Sequence, residues 1–391
     1  TWPPEALSAA GGANAWAGMV VDEARGIVYV PTGSSVDDFY GADRTGNNLY
    51  ANSLLALDAN TGKLLWHFQG VHHDIWDRDF PTPPVLLTVR HEGHNIDAVA
   101  QGTKQGLLFL FDRQTGKPLF PIEERPVPRS EMPGEVTSPT QPFPTRPEPF
   151  ARQRLTADML TTRTEAAAAA AREQFATFNN QGPYTPLVTG RQTLVFPGFD
   201  GGAEWGGPAV DRKRGILIVN ANDVAWTGGL MDAAPPAQAG LGARIYQQHC
   251  MSCHGPDMKG APPEFPTLID IYSRRFEWEV GLAIERGKGR MPGFPQLRPA
   301  ERQAVMAHLR SPTASEPREV MAPASAAALQ RYAFTGYRKF LDPDGYPAVA
   351  PPWGTLNAID MNTGEYLWKV PLGQYPELAA QGMPDTGTEN Y

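Results

Sequence analysis

The segment Ala56-Leu57-Asp58-Ala59-Asn60-Thr61-Gly62-Lys63-Leu64-Leu65-Trp66 returns near the other end of the chain as Ala358-Ile359-Asp360-Met361-Asn362-Thr363-Gly364-Glu365-Tyr366-Leu367-Trp368. A weaker copy runs from Phe111 to Phe120 and carries Phe120 where the others carry tryptophan. Each copy reads as a strand, an Asx-x-Thr-Gly turn and a second strand, with an aromatic at a fixed offset that can dock on a neighbouring unit. A second phrase also repeats: Gly11-Gly12-Ala13-Asn14-Ala15-Trp16, before Val20-Val21-Asp22, is echoed by Gly201-Gly202-Ala203-Glu204-Trp205, before Ala209-Val210-Asp211. β-Rich runs follow each, at 26–30 and 215–219. Unrelated hairpins that share an N-T-G turn would not easily place both the aspartate and the tryptophan at the same offsets twice. Turn and aromatic signals recurring once per small sheet predict an all-β fold of the β-propeller type. The 39 glycines and 39 prolines suit many short strands joined by turns.

One stretch does not belong to that pattern. The chain has two cysteines, together in Cys250-Met251-Ser252-Cys253-His254, the C-x-x-C-H spacing of covalent c-type haem attachment. Two thiols so spaced on an opening helix reach the two vinyl groups of one haem, and the adjoining His254 can ligate its iron. A redox dithiol or half a zinc site would use Cys250 and Cys253 too, but no second cysteine pair exists and neither explains His254. Residues 242–248 read as a helix leading into the motif and Arg298 to Leu309 as an amphipathic closing helix. Between them, Met291 in the loop Gly289 to Pro295 is the expected sixth iron ligand, a thioether that raises the haem potential. The stretch resembles a small class I cytochrome c domain. Its expected bounds are 237–315, inserted between propeller segments 1–232 and 329–391, with Ala/Pro linkers at Met231 to Ala239 and Arg318 to Ala328.

A net charge of −8 without basic clusters argues against nucleic acid as a partner. No apolar run is long enough to cross a bilayer, so a soluble chain is expected. The chain starts at Thr1-Trp2-Pro3 rather than methionine and reads as a mature chain or a piece of a longer one. Covalent c-type haem is assembled outside the bacterial cytoplasm, so a periplasmic location is expected, with the export signal lying elsewhere. Glu123 to Phe150 is proline-rich and reads as a long ordered loop that caps a face. Thr164 to Phe175, alanine-rich with a threonine cap, reads as a short helix that needs no function.

Val71-His72-His73-Asp74-Ile75-Trp76-Asp77-Arg78-Asp79-Phe80-Pro81 follows a strand ending near Gln69. Three carboxylates and two imidazoles so close would repel or titrate abnormally unless a metal or partner required them. The bland alternative is a solvated polar loop.

This stretch, together with the repeats, resembles the pyrroloquinoline quinone (PQQ) dependent dehydrogenases, which are eight-bladed propellers. Within them it resembles most the membrane-type quinoprotein glucose dehydrogenases, through residues 72–84, Ser138 to Phe143, Phe196-Pro197-Gly198 and Glu204-Trp205-Gly206-Gly207. The likeness spans nearly all the sequence outside the haem stretch and corresponds to the middle and later blades. It implies that Asp77 is the catalytic base, taking the hydroxyl proton as hydride leaves the same carbon for PQQ. It implies that Lys104 hydrogen-bonds the quinone oxygens, that Trp16 supports the PQQ ring and that Asn220 contacts the quinone. Without the resemblance, Lys104 is a surface lysine, Trp16 a blade-docking aromatic and Asn220 a strand-end turn residue. The family's Ca²⁺ acts as a Lewis acid on a quinone carbonyl. Asp77 is the firmest candidate ligand. Ser34 stands where alcohol-oxidising relatives place an asparagine ligand, and Asp79 where lanthanide-dependent relatives add a carboxylate.

The expected protein is thus a periplasmic quinohaemoprotein that oxidises an aldose such as glucose at PQQ. Its electrons leave through haem c to a cytochrome or quinone, whereas the plain glucose dehydrogenase pattern uses membrane quinone. The alternatives are a PQQ-dependent alcohol dehydrogenase and a non-catalytic propeller scaffold bearing an electron-transfer cytochrome.

Overall fold

A computed structural model describes residues 1–4, 6, 12–233, 240–312 and 331–390. The expected linkers fall largely outside the described residues, at 234–239 and 318–328, as do the expected boundaries at 237, 313–315 and 329. The chain divides into two compact units, one made of Thr1–Thr227 with Lys339–Tyr391 and the other of Gly228–Arg338.

In the first unit β1 (Val20–Asp22), β2 (Ile27–Pro31), β3 (Ser53–Asp58) and β4 (Leu64–Gln69) form an antiparallel four-stranded sheet in sequence order. β5 (Val85–His91), β6 (His94–Gly102) and β7 (Leu108–Asp112) form a three-stranded one, and β8 (Ile122–Pro126) and β9 (Thr140–Pro144) pair as a hairpin. The helix α1 (Glu165–Phe175) follows, its first turn closed by Ala167 N donating to Thr164 Oγ1 at 3.0 Å. β10 (Thr193–Val195), β11 (Ala209–Asp211), β12 (Ile216–Asn222) and β13 (Trp226–Gly228) then precede the second unit. Within that unit β14 (Leu230–Asp232) pairs antiparallel with β15 (Tyr332–Phe334). β16 (Arg338–Lys339), β17 (Gly354–Asp360) and β18 (Glu365–Pro371) complete the strands. The second four-stranded sheet is β11-β12-β17-β18, so β12 pairs with a strand from beyond the intervening unit, Ile216 opposite Asp360 and Asn222 opposite Gly354.

The two four-stranded sheets are the two long repeats. Val20 faces Tyr29 as Ala209 faces Ile218, and the ladder shifts register at Ala56/Leu57 as it does at Ala358/Ile359. The turns share one chemistry. Asp58 Oδ1 accepts from the amides of Asn60 and Thr61, Asp112 Oδ1 from those of Gln114 and Thr115, and Asp360 Oδ1 from Asn362. The glycine that closes each turn adopts the left-handed conformation, φ +69° at Gly62, +71° at Gly116 and +75° at Gly364, which glycine takes without steric cost. Gly116 serves twice, since a Cβ there would stand 2.6 Å from the Trp66 ring. A Cβ on Gly364 would likewise meet Phe120 at 3.2 Å. Trp66 and Phe120 therefore each dock on the turn glycine of the following repeat, as the fixed offset predicts, while Trp368 is exposed.

Burial follows the same order. Ile27, Tyr29, Leu54, Phe80, Val99, Phe109 and Phe111 form a core between β1–β4 and β5–β7. Leu87, Leu108, Leu110, Phe150, Leu217, Val219 and Ile359 form the next, between β5–β7 and β11-β12-β17-β18. Alternating side chains of one sheet thus fill the faces of both neighbours. The unit is mostly β, and among the described residues its sheets do not close a ring.

One sequence reading needs correction: Glu123 to Phe150 is not simply a loop but contains the β8–β9 hairpin. Pro126, Pro142 and Pro144 lie in it, and a proline is tolerated because both strands of a two-stranded sheet are edges.

The second unit is helical, with α2 (Leu241–His249), α3 (Met251–His254), α4 (Ile271–Arg274), α5 (Glu277–Arg286) and α6 (Pro299–Arg310). Ile245, Tyr246, Met251, Val280, Ile284, Val305 and Leu309 form its core, with Cys250, Met291 and Phe294 packed against it. No helix among the described residues is long and apolar enough to cross a membrane.

Candidate functional site

The turn after β4 builds the site on backbone that its own carboxylate folds. Asp74 Oδ1 accepts from Trp76 N at 2.9 Å and Oδ2 from Arg78 N at 2.8 Å. Oδ2 also accepts from Ser34 Oγ at 2.5 Å and Asn52 Nδ2 at 2.8 Å. The Arg44 guanidinium, fully buried, donates to the Asp74 carbonyl at 2.6 Å. This curl turns Asp77 and Asp79 toward the tight turn between β6 and β7, where Lys104 sits.

Lys104 Nζ lies 2.9 Å from Asp77 Oδ1 and 2.7 Å from Asp79 Oδ2, all three side chains being largely buried. Ser34 N donates to Asp79 Oδ1 at 2.6 Å. One ammonium cannot satisfy two buried carboxylates equally. Burial opposes ionisation of Asp79, but the Lys104 ammonium and the Ser34 amide outweigh it and hold Asp79 down to about 2. Asp77 goes the other way: burial, with the negative charges of Asp79 and Asp38, outweighs Lys104 and raises it well above the usual carboxylate range. Lys104 is itself raised, because Asp77 and Asp79 together overcome its burial. Two neighbouring carboxylates pushed apart in this way suit one to proton transfer and the other to a standing negative charge.

Trp16 joins this cluster. A Cβ on Gly33 would stand 2.5 Å from Asp79 Oδ1 and 2.9 Å from Trp16 Nε1, so the indole lies over Gly33 beside Asp79, with 46% of the residue exposed. Asn220 is not joined to it by a hydrogen bond among the described residues; its Nδ2 donates to the Asn390 carbonyl at 3.4 Å. Two residues on, Asn222 N donates to Gly202 O at 3.0 Å, and Gly202 N donates to Lys104 O at 2.7 Å, which ties the end of β12 to the Lys104 turn.

Sequence reasoning missed several members. Burial and the charges of Asp79 and Asp74 push Asp38 up to about 7, and burial pushes Glu204 up to about 7 against the pull of Lys104. Glu204 had a signal, as the acidic residue in the second copy of a phrase whose first copy ends in Trp16; Asp38 had none. Asn52 is fully buried, and its Oδ1 has no hydrogen-bond partner among the described residues.

These donors, carboxylates with an orphaned amide oxygen, match a hard cation such as Ca²⁺ in kind. Among the described residues no three His, Cys, Asp or Glu side chains converge to hold a metal ion. Asp77 and Asp79 are engaged by Lys104, and Ser34 Oγ by Asp74. For PQQ, the half-exposed indole of Trp16 beside Asp79 and the Lys104 ammonium offers a flat apolar face next to a cation.

In the helical unit Cys250 and Cys253 are free and half-buried. Cys253 N and His254 N both donate to the Cys250 carbonyl, at 3.2 and 2.9 Å, in one helical turn. His254 is 7% exposed, and its Nδ1 donates to the Pro266 carbonyl at 2.9 Å. That bond places the proton on Nδ1 and leaves the Nε2 lone pair for a metal. Of the expected iron ligands, His254 thus offers Nε2, and Met291 packs against the same core as Cys250.

The sequence matches the family described as the PQQ glucose/ethanol/alcohol dehydrogenase beta-propeller domain over residues 1–265 and 270–391. The chain belongs to this family. Among its relatives it is 39% identical over 367 residues to quinoprotein glucose dehydrogenase A of Acinetobacter calcoaceticus, covering 92% of this chain and 36% of that protein. It is 29% identical over 361 residues to quinoprotein glucose dehydrogenase of Escherichia coli K12, with the same coverage of each. It is 30% identical over 375 residues to a probable quinate dehydrogenase (quinone) of Xanthomonas campestris pv. juglandis, covering 95% of this chain and 38% of that protein. The chain thus spans little more than a third of the length of these dehydrogenases. The family is one of oxidoreductases acting on CH–OH donors, and this chain is close to its quinoprotein glucose dehydrogenases.

Proposed function

We propose that this chain is the catalytic propeller region and haem module of a periplasmic, eight-bladed PQQ-dependent dehydrogenase that oxidises an aldose such as glucose. The single observation that carries the reading is the pair Asp77 and Asp79 sharing Lys104, one carboxylate raised and one held ionised. PQQ, when bound, supplies the two-electron acceptor for the hydrogen leaving the carbinol carbon. Asp77 takes the proton from the substrate hydroxyl. A base needs its pKa nearer the working pH than an ordinary carboxylate has, which burial provides. Lys104 engages Asp77 and Asp79 with its ammonium; of its three N–H groups the remaining one would hydrogen-bond a quinone oxygen and offset negative charge there. Trp16 would offer its indole face to the ring of PQQ, and Asn220, on β12, would contact the quinone if its Nδ2 leaves the Asn390 carbonyl. Asp77, with Ser34 and Asp79, would hold Ca²⁺ or a lanthanide, which supplies Lewis-acid polarisation.

The helical unit is read as an inserted cytochrome c domain in which Cys250 and Cys253 would carry a haem and His254 and Met291 would ligate its iron, which would supply a one-electron relay toward a respiratory cytochrome or quinone. Met291→Ala should lower the haem potential, measured by spectroelectrochemistry; an unchanged potential would assign the sixth position to another residue. A non-catalytic scaffold gains nothing from burying Lys104 among carboxylates, since desolvating such charges costs stability.

The deciding experiment takes the full-length haem-bearing protein, loads it with PQQ and Ca²⁺, and mixes it anaerobically with glucose and then simple alcohols. Haem reduction that depends on PQQ and on glucose supports the reading. Reduction by alcohols alone replaces the aldose with an alcohol. Failure to bind PQQ favours the scaffold.

A further inference from the structure

Asp77 and His73 both occupy the left-handed region, at φ +58° and +47°, within a single turn. For residues other than glycine this conformation is unfavourable, and it persists only where the surroundings over-determine it. Asp74 does so on one side, through the bonds described above. On the other side the constraint is His73. Its Nδ1 donates to the Gly46 carbonyl at 2.8 Å, and its Nε2 is hydrogen-bonded to Glu135 Oε1 at 2.6 Å. Glu135 Oε2 accepts from Gly41 N at 2.5 Å. The two side chains are 2% and 1% exposed. Glu135 belongs to the segment joining β8 and β9, which is also tied down by Tyr40 Oη donating to the Pro133 carbonyl at 2.6 Å. Gln141 adds a clamp one residue earlier, accepting from His72 N at 2.8 Å and donating to His72 O at 2.7 Å.

Neither His73 nor Glu135 has a hydrogen bond to Asp77, Lys104 or Asp79 among the described residues. They act on the site through the backbone of the turn, and Glu135 also faces the Arg44 guanidinium that donates to the Asp74 carbonyl. A surface turn has no need of a buried imidazole–carboxylate pair, whose desolvation is costly unless its geometry serves another purpose.

The geometry points to Glu135 as a positioning residue for Asp77, acting through His73. Its carboxylate fixes the imidazole, the imidazole fixes the start of the turn, and the turn holds Asp77 in the left-handed conformation that presents its carboxylate to Lys104. This rests on the reading of Asp77 as the base.

The test uses the full-length haem-bearing protein loaded with PQQ and Ca²⁺, with rates expressed per PQQ-titrated site so that misfolded material does not count. Glu135→Gln keeps an oxygen that can accept from His73 and removes the charge; Glu135→Ala removes both. A displacement of the base by about an ångström can cost 10²-fold in rate. The expected loss in kcat is therefore roughly tenfold for the glutamine variant and roughly a hundredfold for the alanine variant, with KM and PQQ affinity within about twofold of wild type. In an Asp77→Asn background Glu135→Gln should cost less than about twofold, because the group it positions is gone. Wild-type kcat per loaded site in both single variants overturns the positioning role and leaves Asp77 as base untouched. An undiminished loss in the Asp77→Asn background overturns it too. If neither glucose nor a simple alcohol reduces the haem of the wild-type holoenzyme, the functional reading fails and this inference falls with it.

Discussion

Replacing Asp77 by asparagine is expected to lower turnover by about 10²- to 10⁴-fold, the usual worth of a positioned general base, while PQQ binding persists. The amide keeps the shape of the side chain and an oxygen that can accept from Lys104, so the 2.9 Å contact can survive in altered form. What disappears is the group that takes the hydroxyl proton. The pH dependence separates this from a general loss of structure. Burial and the charges of Asp79 and Asp38 raise Asp77 well above the usual carboxylate range. The base works as the carboxylate, so kcat in wild type falls as pH drops through that raised value. In Asp77→Asn that acid limb should be absent from the residual rate. Stopped-flow haem reduction across the pH range, at saturating substrate and equal PQQ occupancy, measures both effects. Near-normal turnover would remove Asp77 from the role of base. An acid limb that persists would assign it to another carboxyl, and Glu204, pushed up to about 7, is then the group to replace next.

What could be read from the sequence was local chemistry. Asp58, Gly62 and Trp66 announce themselves because an Asx turn, a left-handed glycine and a docking aromatic are specified within a few residues of one another. Repetition of that phrase located two sheets before any contact was known. In the structure β12 pairs with β17 from beyond the helical unit, which brings the second copies of the two phrases into one sheet. The site was legible only in part. Asp77, Asp79, Lys104 and Trp16 do lie together, while Asn220 reaches the cluster only indirectly, through Asn222 and Gly202. Asp38, Asn52 and Glu135 were missed because their roles come from long-range packing. Glu135 meets His73 across a hairpin whose prolines disguised it as a loop.

Replacing Lys104 by alanine is expected to destabilise the fold as well as impair the chemistry. Among the described residues, Lys104 is the one cation placed within hydrogen-bonding reach of both Asp77 and Asp79, and its side chain is 8% exposed. Removing one partner of a buried pair typically costs about 3–5 kcal/mol, because the remaining charge is left uncompensated. The pH dependence has a definite sign. Asp79 is held at about 2 in the native protein, against about 3.9 for an unperturbed aspartate. A depressed carboxyl contributes stability that is present above its unfolded value and lost as pH falls through its folded value. Lys104, raised, contributes stability that is fully present below its own unfolded value and is lost only in strong alkali. The deficit of Lys104→Ala should therefore shrink in acid: Asp77, already raised, becomes neutral first, and the Asp79 contribution is lost as the pH falls from about 4 to about 2. Urea unfolding of the cofactor-free protein at a series of pH values reads this without any activity. A deficit that does not narrow in acid would mean that Lys104 stabilises through the packing of its methylenes and not through Asp77 and Asp79. Single-turnover reduction supplies the other half: if Lys104 offsets charge on the quinone oxygens, the variant reduces its cofactor more slowly at saturating substrate. Equal single-turnover rates would confine Lys104 to holding the two carboxylates together.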